Sequence, residues 1–451
     1  MYIYSGYVCT QKTPKKIKKK SCKIRPKIKH IEKTQKLYNN PVDMKKSIIN
    51  IFCFLIPLPR TRRNVREYLK KKFLYQQEKN IFSFIKKLKR NRPIILWIDH
   101  SLGGGTETYT KNQFETLTKK NNVIRMQYWP WVKKYSLTIG TKTSVYTDKL
   151  SDLEKFCKKL NISKIIVNNL VGYANSLDIL DFVSKIKRNS HVSFRGHDFQ
   201  SLCPCFTLID CDGNFCNFKH KKGCEYCWKH KILGNNEYEN KIFRSGATTI
   251  KTWREKWGDF FTETVDEVII FSEKIKEMFI QIYPQLSDKI VIIPHTVKKL
   301  PCVKIKKHNS INIATIGFIQ KNKGRDIIYQ MSKNLPSDNS VNLFVIGNIE
   351  NPNDIENITI TGKYKPSQLP KIIKKHKIDI IFIASILPET FSYTTSEAIS
   401  MDIPVVCYNM GAQSERIEKY DKGLILEKIS PYENLTEIIE YIKTKATNDN
   451  P

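Results

Sequence analysis

The chain of 451 residues lacks any apolar run long enough to cross a bilayer as a helix, which takes about 18 residues or more. Its longest mostly apolar stretch, Ser47 to Leu58 (S-I-I-N-I-F-C-F-L-I-P-L), is too short. That stretch also starts far from the N-terminus and has no small-residue cleavage site, so it does not read as a secretory signal. Without an export signal, the 12 cysteines argue against a disulfide framework. Acidic residues are scarce at the start: residues 1–95 hold 27 Lys or Arg against 4 Asp or Glu, +23 of the net +34. Between Lys12 and Lys36 there is no aromatic residue. A nucleic-acid platform interleaves aromatic rings with its charge, so no nucleic-acid partner is expected. No short-period repeat is present.

What is there is a long, 40% apolar chain, enough for two α/β domains with cores of their own. Residues 1–92 read as a basic, partly disordered arm, in which Met44 is an alternative start. Within it, segment 47–72 sets an apolar patch beside Arg60, Arg62, Arg63, Arg66 and Lys70–Lys72. Apolar burial and attraction to anionic headgroups would add there, giving peripheral contact with a membrane surface. Packing of the patch on the following domain is the alternative. From Arg92-Pro93 the texture becomes strands alternating with amphipathic helices. Strands are expected at Ile94–Ile98, Val123–Trp129, Lys164–Val167, Val192–Arg195, Glu267–Phe271 and Lys289–Ile293. Helices are expected at Thr106–Lys119, Leu150–Leu160, Leu177–Lys187, Thr249–Phe261 and Glu273–Ile282. Pro294 to His308 reads as a linker, and a second series starts at Ile311. The expected fold class is α/β: two Rossmann-like doubly wound domains, 93–295 and 310–445, facing across a cleft.

The chemistry concentrates at Pro388–Val406, P-E-T-F-S-Y-T-T-S-E-A-I-S-M-D-I-P-V-V. An apolar strand (Ile378–Ile383) precedes it, Thr394–Met401 suits a short helix, and Ile403–Cys407 is the next strand. Glu389 then lies in the loop leaving one strand and Glu397 in the first turns of a helix. The backbone amides around Tyr393, Thr394 and Thr395 open that helix. One acid for sugar hydroxyls, a helix N-terminus for a diphosphate and a second acid for a ribose would hold a sugar nucleotide. Loop and first-turn carboxylates of this kind are expected to matter for transfer and not for folding.

This spacing and context resemble the E-x7-E signature of retaining glycosyltransferases of the GT-B fold, the large family 4 in particular. Three other motifs stand in that family's order. Asp99-His-Ser-Leu-Gly103-Gly104-Gly105-Thr106-Glu107 resembles the G-G-G-T-E loop that opens the first domain of bacterial surface-polysaccharide glycosyltransferases. Arg195-Gly-His197-Asp198 ends a strand where chemistry happens in this architecture. Ile313-Ala-Thr-Ile-Gly317-Phe318-Ile-Gln-Lys-Asn-Lys323-Gly324 matches at Gly317, Lys323 and Gly324, while Phe318 stands where the family has Arg. Lys321 or Arg325 could replace that charge.

The resemblance implies transfer with retention of anomeric configuration from a nucleotide-sugar donor to a glycan or lipid-linked acceptor, without a catalytic metal. It implies catalytic roles for His197, Asp198 and Glu389. It implies donor contacts from Gly104, Gly105, Gly317, Lys323, Tyr393, Thr394 and Glu397, with Glu389 on the donor sugar and Glu397 on the ribose. The expected location is cytoplasmic, at the inner face of the membrane, in polysaccharide or lipopolysaccharide biosynthesis. A GT-B epimerase or phosphorylase, or an inactive homologue, remains the alternative. Six cysteines fall within residues 203–227, and the terminal C-x2-C is a metal-knuckle spacing. Likeness to related enzymes selects Cys203, Cys216, Cys224 and Cys227 for a structural zinc. Packed thiols or disulfides are the other readings.

Overall fold

The computed structural model describes residues 83–448, except 141–142, 232–243 and 353–356. It also describes Ile49, Asn50, Cys53, Arg62, Val65, Arg66, Tyr68, Leu69, Gln76 and Gln77. The basic run Lys12–Lys46 and most of segment 47–72 lie outside these residues. Among the described residues no helix is long and apolar enough to cross a membrane.

The first sheet contains β1 (Gln76–Gln77), β2 (Ile94–Asp99), β3 (Asn122–Trp129), β4 (Lys134–Ile139) and β5 (Thr143–Thr147), then β6 (Ile162–Val167), β7 (His191–Arg195), β8 (Glu267–Ile270) and β9 (Ile290–Ile292). Their order across the sheet is β1-β5-β4-β3-β2-β6-β7-β8-β9. Helices α1 (Gly105–Lys120), α2 (Leu150–Lys158), α3 (Ser176–Ile186), α4 (Cys224–His230), α5 (Ile250–Asp259) and α6 (Glu273–Ile282) belong to this domain. Alternate residues of each strand point to opposite faces, so a strand buried on both sides must be apolar throughout. In β2, Leu96 and Ile98 join a core with Ile124, Met126 and Val167. Ile95 and Trp97 join another with Val123, Ile166 and Phe271.

The second sheet holds β10 (Ile311–Ile319), β11 (Val341–Ile349), β12 (Ile358–Ile360), β13 (Ile380–Ile383), β14 (Val405–Tyr408) and β15 (Gly423–Leu426). It is parallel, in the order β12-β11-β10-β13-β14-β15. Its helices are α7 (Arg325–Lys333), α8 (Leu369–Lys375), α9 (Tyr393–Ser400), α10 (Gly411–Ile417) and α11 (Pro431–Asn448). The order reverses at β10, between β11 on one side and β13 on the other. That is a topological switch point, where ligands of open α/β sheets bind.

The expected strands and helices appear with ends shifted by a few residues, but the first domain starts earlier and is less regular than expected. After β3 the chain turns back through Lys133 (φ 49°) into β4, antiparallel to β3, and then into the antiparallel β5. The short alternation in Lys134–Ile139 and Thr143–Thr147 carried that hairpin, around Gly140. Upstream, β1 pairs in parallel with β5. Phe84 is fully buried with its ring 6.1 Å from Phe156. Tyr68 packs on Trp129 and Tyr146, at 5.8 and 5.7 Å between ring centres. Ile49, Cys53 and Tyr68 are the buried apolar positions among the few described residues of segment 47–72.

Candidate active site in the interdomain cleft

The carboxyl ends of β2, β6 and β7 face those of β10 and β13, and residues from both domains meet between them. Thr390 donates its hydroxyl to the carbonyl of His197 at 2.9 Å, directly linking the His197 turn to the Glu389 loop. Lys274 of α6 reaches Asn409 and Ser414, both at 2.9 Å, and pairs with Glu418. Phe391 belongs to the first domain's Trp97–Val123 core, so the docking is apolar as well as charged.

On the second domain's side, Glu389 is 9% exposed at the end of the β13 loop. Its carboxylate pairs with Lys323 and accepts the Ser385 hydroxyl at 2.6 Å. Its amide donates to Gln413 Oε1 at 2.9 Å. Burial would raise its pKa, but the Lys323 charge and the hydroxyls of Ser385 and Ser392 outweigh it and leave the carboxyl below its usual range. The loop needs two glycines. Gly324 (φ 83°) passes so near β13 that a Cβ would stand 2.1 Å from the Ala384 carbonyl oxygen. Gly411 (φ 62°) lies where a Cβ would meet Pro388 Cα at 2.6 Å. Glu389 is thus held in a buried, hydrogen-bonded place.

Glu397 is different. It lies on the first turns of α9, its carboxyl makes no hydrogen bond or ion pair among the described residues, and burial pushes its pKa up to about 7. Ser392 caps α9 by accepting the Thr395 amide at 3.4 Å, which leaves the amides of Tyr393 and Thr394 as the helix's open donors. Tyr393 bonds His295 Nδ1 through its hydroxyl at 3.0 Å and lies against Gly105, where a Cβ would be 3.5 Å from the ring. The glycine loop and the α9 terminus thus meet across the cleft. Gly317 (φ 118°) lies within the last residues of β10, and Phe318 beside it is 55% exposed.

Of the charges expected to replace the one absent at Phe318, Arg325 is engaged with Asp326 and with Glu350 (3.1 Å), and Lys321 is exposed. The cation the structure brings to the site is Arg416 of α10, which sequence reading missed. Its guanidinium stacks 3.8 Å over the Phe391 ring and bonds the Ser392 carbonyl at 3.3 Å and the Ser396 hydroxyl. Burial lowers its pKa, while Glu415, Glu389 and Tyr393 raise it. It also lowers that of His295, which burial brings down to about 3. Arg416 thus sits at the N-terminus of α9, facing Glu389 and the cleft. No motif marked it.

On the first domain's side, charge is internally consumed. Asp99, fully buried, pairs with Arg125 at 2.5 Å and accepts from Thr110 (2.9 Å) and Asn168 (3.1 Å). Arg125 also takes Glu107 at 2.6 Å, so the acid of the glycine loop is structural. Because Asn168 gives its amide nitrogen to Asp99 and Thr110, its oxygen faces His197 Nε2 at 3.1 Å. That fixes the His197 proton on Nε2 and makes Nδ1 the acceptor nitrogen. Burial, with His295, His100 and Arg195 nearby, holds the His197 pKa well below its usual value, so the ring is neutral. Asp198 is tied on both oxygens, to Asn169 and to the Gln200 amide, each at 2.7 Å. Burial raises its pKa to about 6. These bonds tie Asp198 to Asn169 and to the following turn, next to His197. The polar pair Asn168-Asn169 after the apolar β6 was the signal that could have found this network.

The cysteine-rich insertion follows the same turn. Cys203, Cys216, Cys224 and Cys227 all line one cavity, together with Cys205. Beside it, Cys211, Asp212 and His220, the last also lining the cavity, form a knot whose polar side-chain atoms lie within 4.8 Å of one another.

Residues 299–450 match the family model of glycosyl transferases group 1. No curated protein matches the chain in sequence. Among solved structures, the Anabaena protein Alr3699/HepE in complex with UDP is similar at 12% identity and a TM-score of 0.50, covering 78% of this chain and 90% of that one. A glycosyltransferase from Rickettsia africae ESF-5 is 14% identical at a TM-score of 0.49, covering 78% and 89%. Sucrose-phosphate synthase from Thermosynechococcus elongatus is 13% identical at 0.48, covering 77% and 90%. The chain has the GT-B fold, and its second domain is similar to the glycosyl transferases group 1 family over residues 299–450.

Proposed function

We propose that the protein is a retaining glycosyltransferase that moves a sugar from a nucleotide-sugar donor to a hydroxyl of a glycan or lipid-linked acceptor. The observation that carries this reading is Glu397, a half-buried carboxylate without a protein partner beside an open helix N-terminus and a preformed Glu389–Lys323 pair. An unpaired carboxylate in that place needs donors from a ligand, and the vicinal hydroxyls of a ribose supply them. The diphosphate then meets the Tyr393 and Thr394 amides, with Lys323 and Arg416 as cations, and the donor-sugar hydroxyls meet Glu389. As the bond between the anomeric carbon and the phosphate oxygen breaks, Lys323 and Arg416 stabilise the negative charge that builds on the leaving diphosphate. The acceptor oxygen attacks the anomeric carbon from the same face, and its proton passes to the departing phosphate oxygen. His197, neutral with Nδ1 as acceptor, takes a hydrogen bond from a sugar hydroxyl and holds the ring. The basic residues 1–46, read from sequence, bring the enzyme to anionic lipid and so to a lipid-linked acceptor.

The test is a panel of nucleotide sugars assayed for release of free nucleoside diphosphate with and without acceptor saccharides. The expected result is one preferred donor, with product of unchanged anomeric configuration by NMR. No turnover with any donor, alongside binding of a nucleotide sugar, would favour an inactive homologue.

A further inference from the structure

We propose that Lys274 is a positioning residue of the transfer reaction: it seats the first domain on α10, the helix that carries the donor-side cation, and so sets the two halves of the site in register. The inference rests on the transfer reading above, in which donor contacts lie on the second domain and His197 on the first. α6 opens on Ser272, whose hydroxyl accepts the Ile275 amide at 3.4 Å. The Lys274 amide, left over by that cap, donates to Glu415 Oε2 of α10 at 3.1 Å. The start of one domain's helix is thus completed by an acid of the other, where the helix dipole favours a negative charge.

The Lys274 side chain makes the same crossing. An ammonium has three hydrogens, and here they go to Asn409 Oδ1 at 2.9 Å, Ser414 Oγ at 2.9 Å and the Glu418 carboxylate. The second domain itself orients two of these acceptors. Asn409 turns its amide nitrogen to Glu427, 3.1 Å from each carboxylate oxygen, which leaves its own oxygen for Lys274. Ser414 gives its hydroxyl proton to the Gly411 carbonyl at 3.2 Å and so offers Lys274 a lone pair. Successive residues of a helix point in different directions round its axis, and on α10 they divide between the two domains. Ser414 and Glu415 take Lys274. Gln413 holds the Glu389 amide at 2.9 Å and the Leu387 carbonyl at 3.0 Å, and Arg416 holds the Ser392 carbonyl at 3.3 Å. One turn of helix therefore ties the first domain to the Glu389 loop and to the cation beside it. The bond from Thr390 to the His197 carbonyl is a single point about which the domains could pivot, and Lys274 supplies another. The Lys274 side chain is 27% exposed, and ion pairs that water reaches add little stability. What the converging acceptors supply is geometry.

The test compares the full chain with Lys274→Met, with Asn409→Ala joined to Glu418→Gln on the facing side, and with Lys276→Met on the same helix as a control. Affinity for UDP, GDP and ADP, kcat with the donor that wild type prefers, and hydrogen–deuterium exchange are measured well below the melting temperature. Lys274→Met should keep its nucleotide affinity and lose roughly 10–100-fold in kcat, the scale of a small misplacement of reacting groups. Segments 271–278 and 409–418 should exchange faster. The facing-side variant should behave alike and add nothing to Lys274→Met, because these groups form one contact. Lys274→Arg, which keeps the charge, should recover part of kcat, and Lys276→Met should match wild type. An unchanged kcat in Lys274→Met, an equal loss in Lys276→Met, or a kcat loss matched by loss of nucleotide affinity would overturn the proposal. A wild type that turns over no donor would end the transfer reading and the role in transfer with it. Equal exchange in wild type and Lys274→Met would instead end the grip alone, so the two failures are told apart.

Discussion

The two sides of the cleft are built from the same kind of strand end but spend their charges in opposite ways. On the first domain's side, Asp99, Arg125, Glu107, Thr110 and Asn168 satisfy one another, and what emerges is one neutral histidine with a fixed proton. On the second domain's side the network is left open. Glu397 has no partner, two helix amides are uncapped, and Lys323 and Arg416 stand beside the buried Glu389. A closed network orients a group, whereas an open one is completed by a ligand. Under the proposed function, the second domain would bind the donor and the first would align the reacting sugar.

The comparison breaks most visibly at Glu389, a buried, ion-paired acid that the proposed function also sets on the donor sugar. Glu389→Gln should lower kcat/KM by about 10²–10³-fold and also lower the melting temperature, since the Lys323 pair is lost at a buried site. A glutamine variant with full activity would end its assignment. Arg416→Ala should cost about 1.5–3 kcal/mol in diphosphate affinity, the scale of charge-assisted hydrogen bonds. Substitution of Lys321 by Ala should cost nothing measurable, which distinguishes the two candidate replacements for the charge absent at Phe318.

Glu397 sharpens the comparison through pH. Burial raises its pKa in the free protein to about 7, and a carboxylate is the better acceptor for ribose hydroxyls. Donor affinity should therefore strengthen as pH rises through 7 and weaken as pH falls below it, with Glu397→Gln flattening the profile. The stability effect has the opposite sign. A folded pKa above the unfolded one near 4.5 favours folding below 4.5 and loses that contribution as pH rises through 7. Melting curves of Glu397→Gln and wild type from pH 5 to 8 should show this loss in the wild type alone. Glu397→Ala should weaken donor binding by about 1–3 kcal/mol. The smallest effect belongs to the basic arm: deleting residues 1–46 should reduce co-sedimentation with anionic vesicles at low salt and leave turnover of a soluble acceptor unchanged.

What the sequence made legible follows from period and position. Buried parallel strands such as Ile380–Ile383 and Val405–Tyr408 are continuous apolar runs, and the acids that follow them fall where ligands bind, so Glu389 and Glu397 could be placed without coordinates, whereas Lys323 and His197 rest on the family resemblance. Arg416 and Arg125 could not. Each acts through a partner distant along the chain, Phe391 for one and Asp99 for the other, and nothing local separates such an arginine from a surface one. The β4–β5 hairpin was hidden because its strands alternate over only five or six residues. The charge state of Glu389 was equally hidden, since it depends on Lys323 reaching back from another loop.

The division of labour between the two sides is tested most directly by titrating UDP, GDP and ADP against wild type, Glu397→Gln and His197→Ala by calorimetry, with turnover of the preferred donor measured in parallel. The account predicts that Glu397→Gln weakens nucleotide binding by about tenfold or more, whereas His197→Ala binds the same nucleotide as wild type does and loses its rate in kcat. Equal nucleotide affinity in wild type and Glu397→Gln, or a loss of nucleotide binding in His197→Ala as large as in Glu397→Gln, would contradict it.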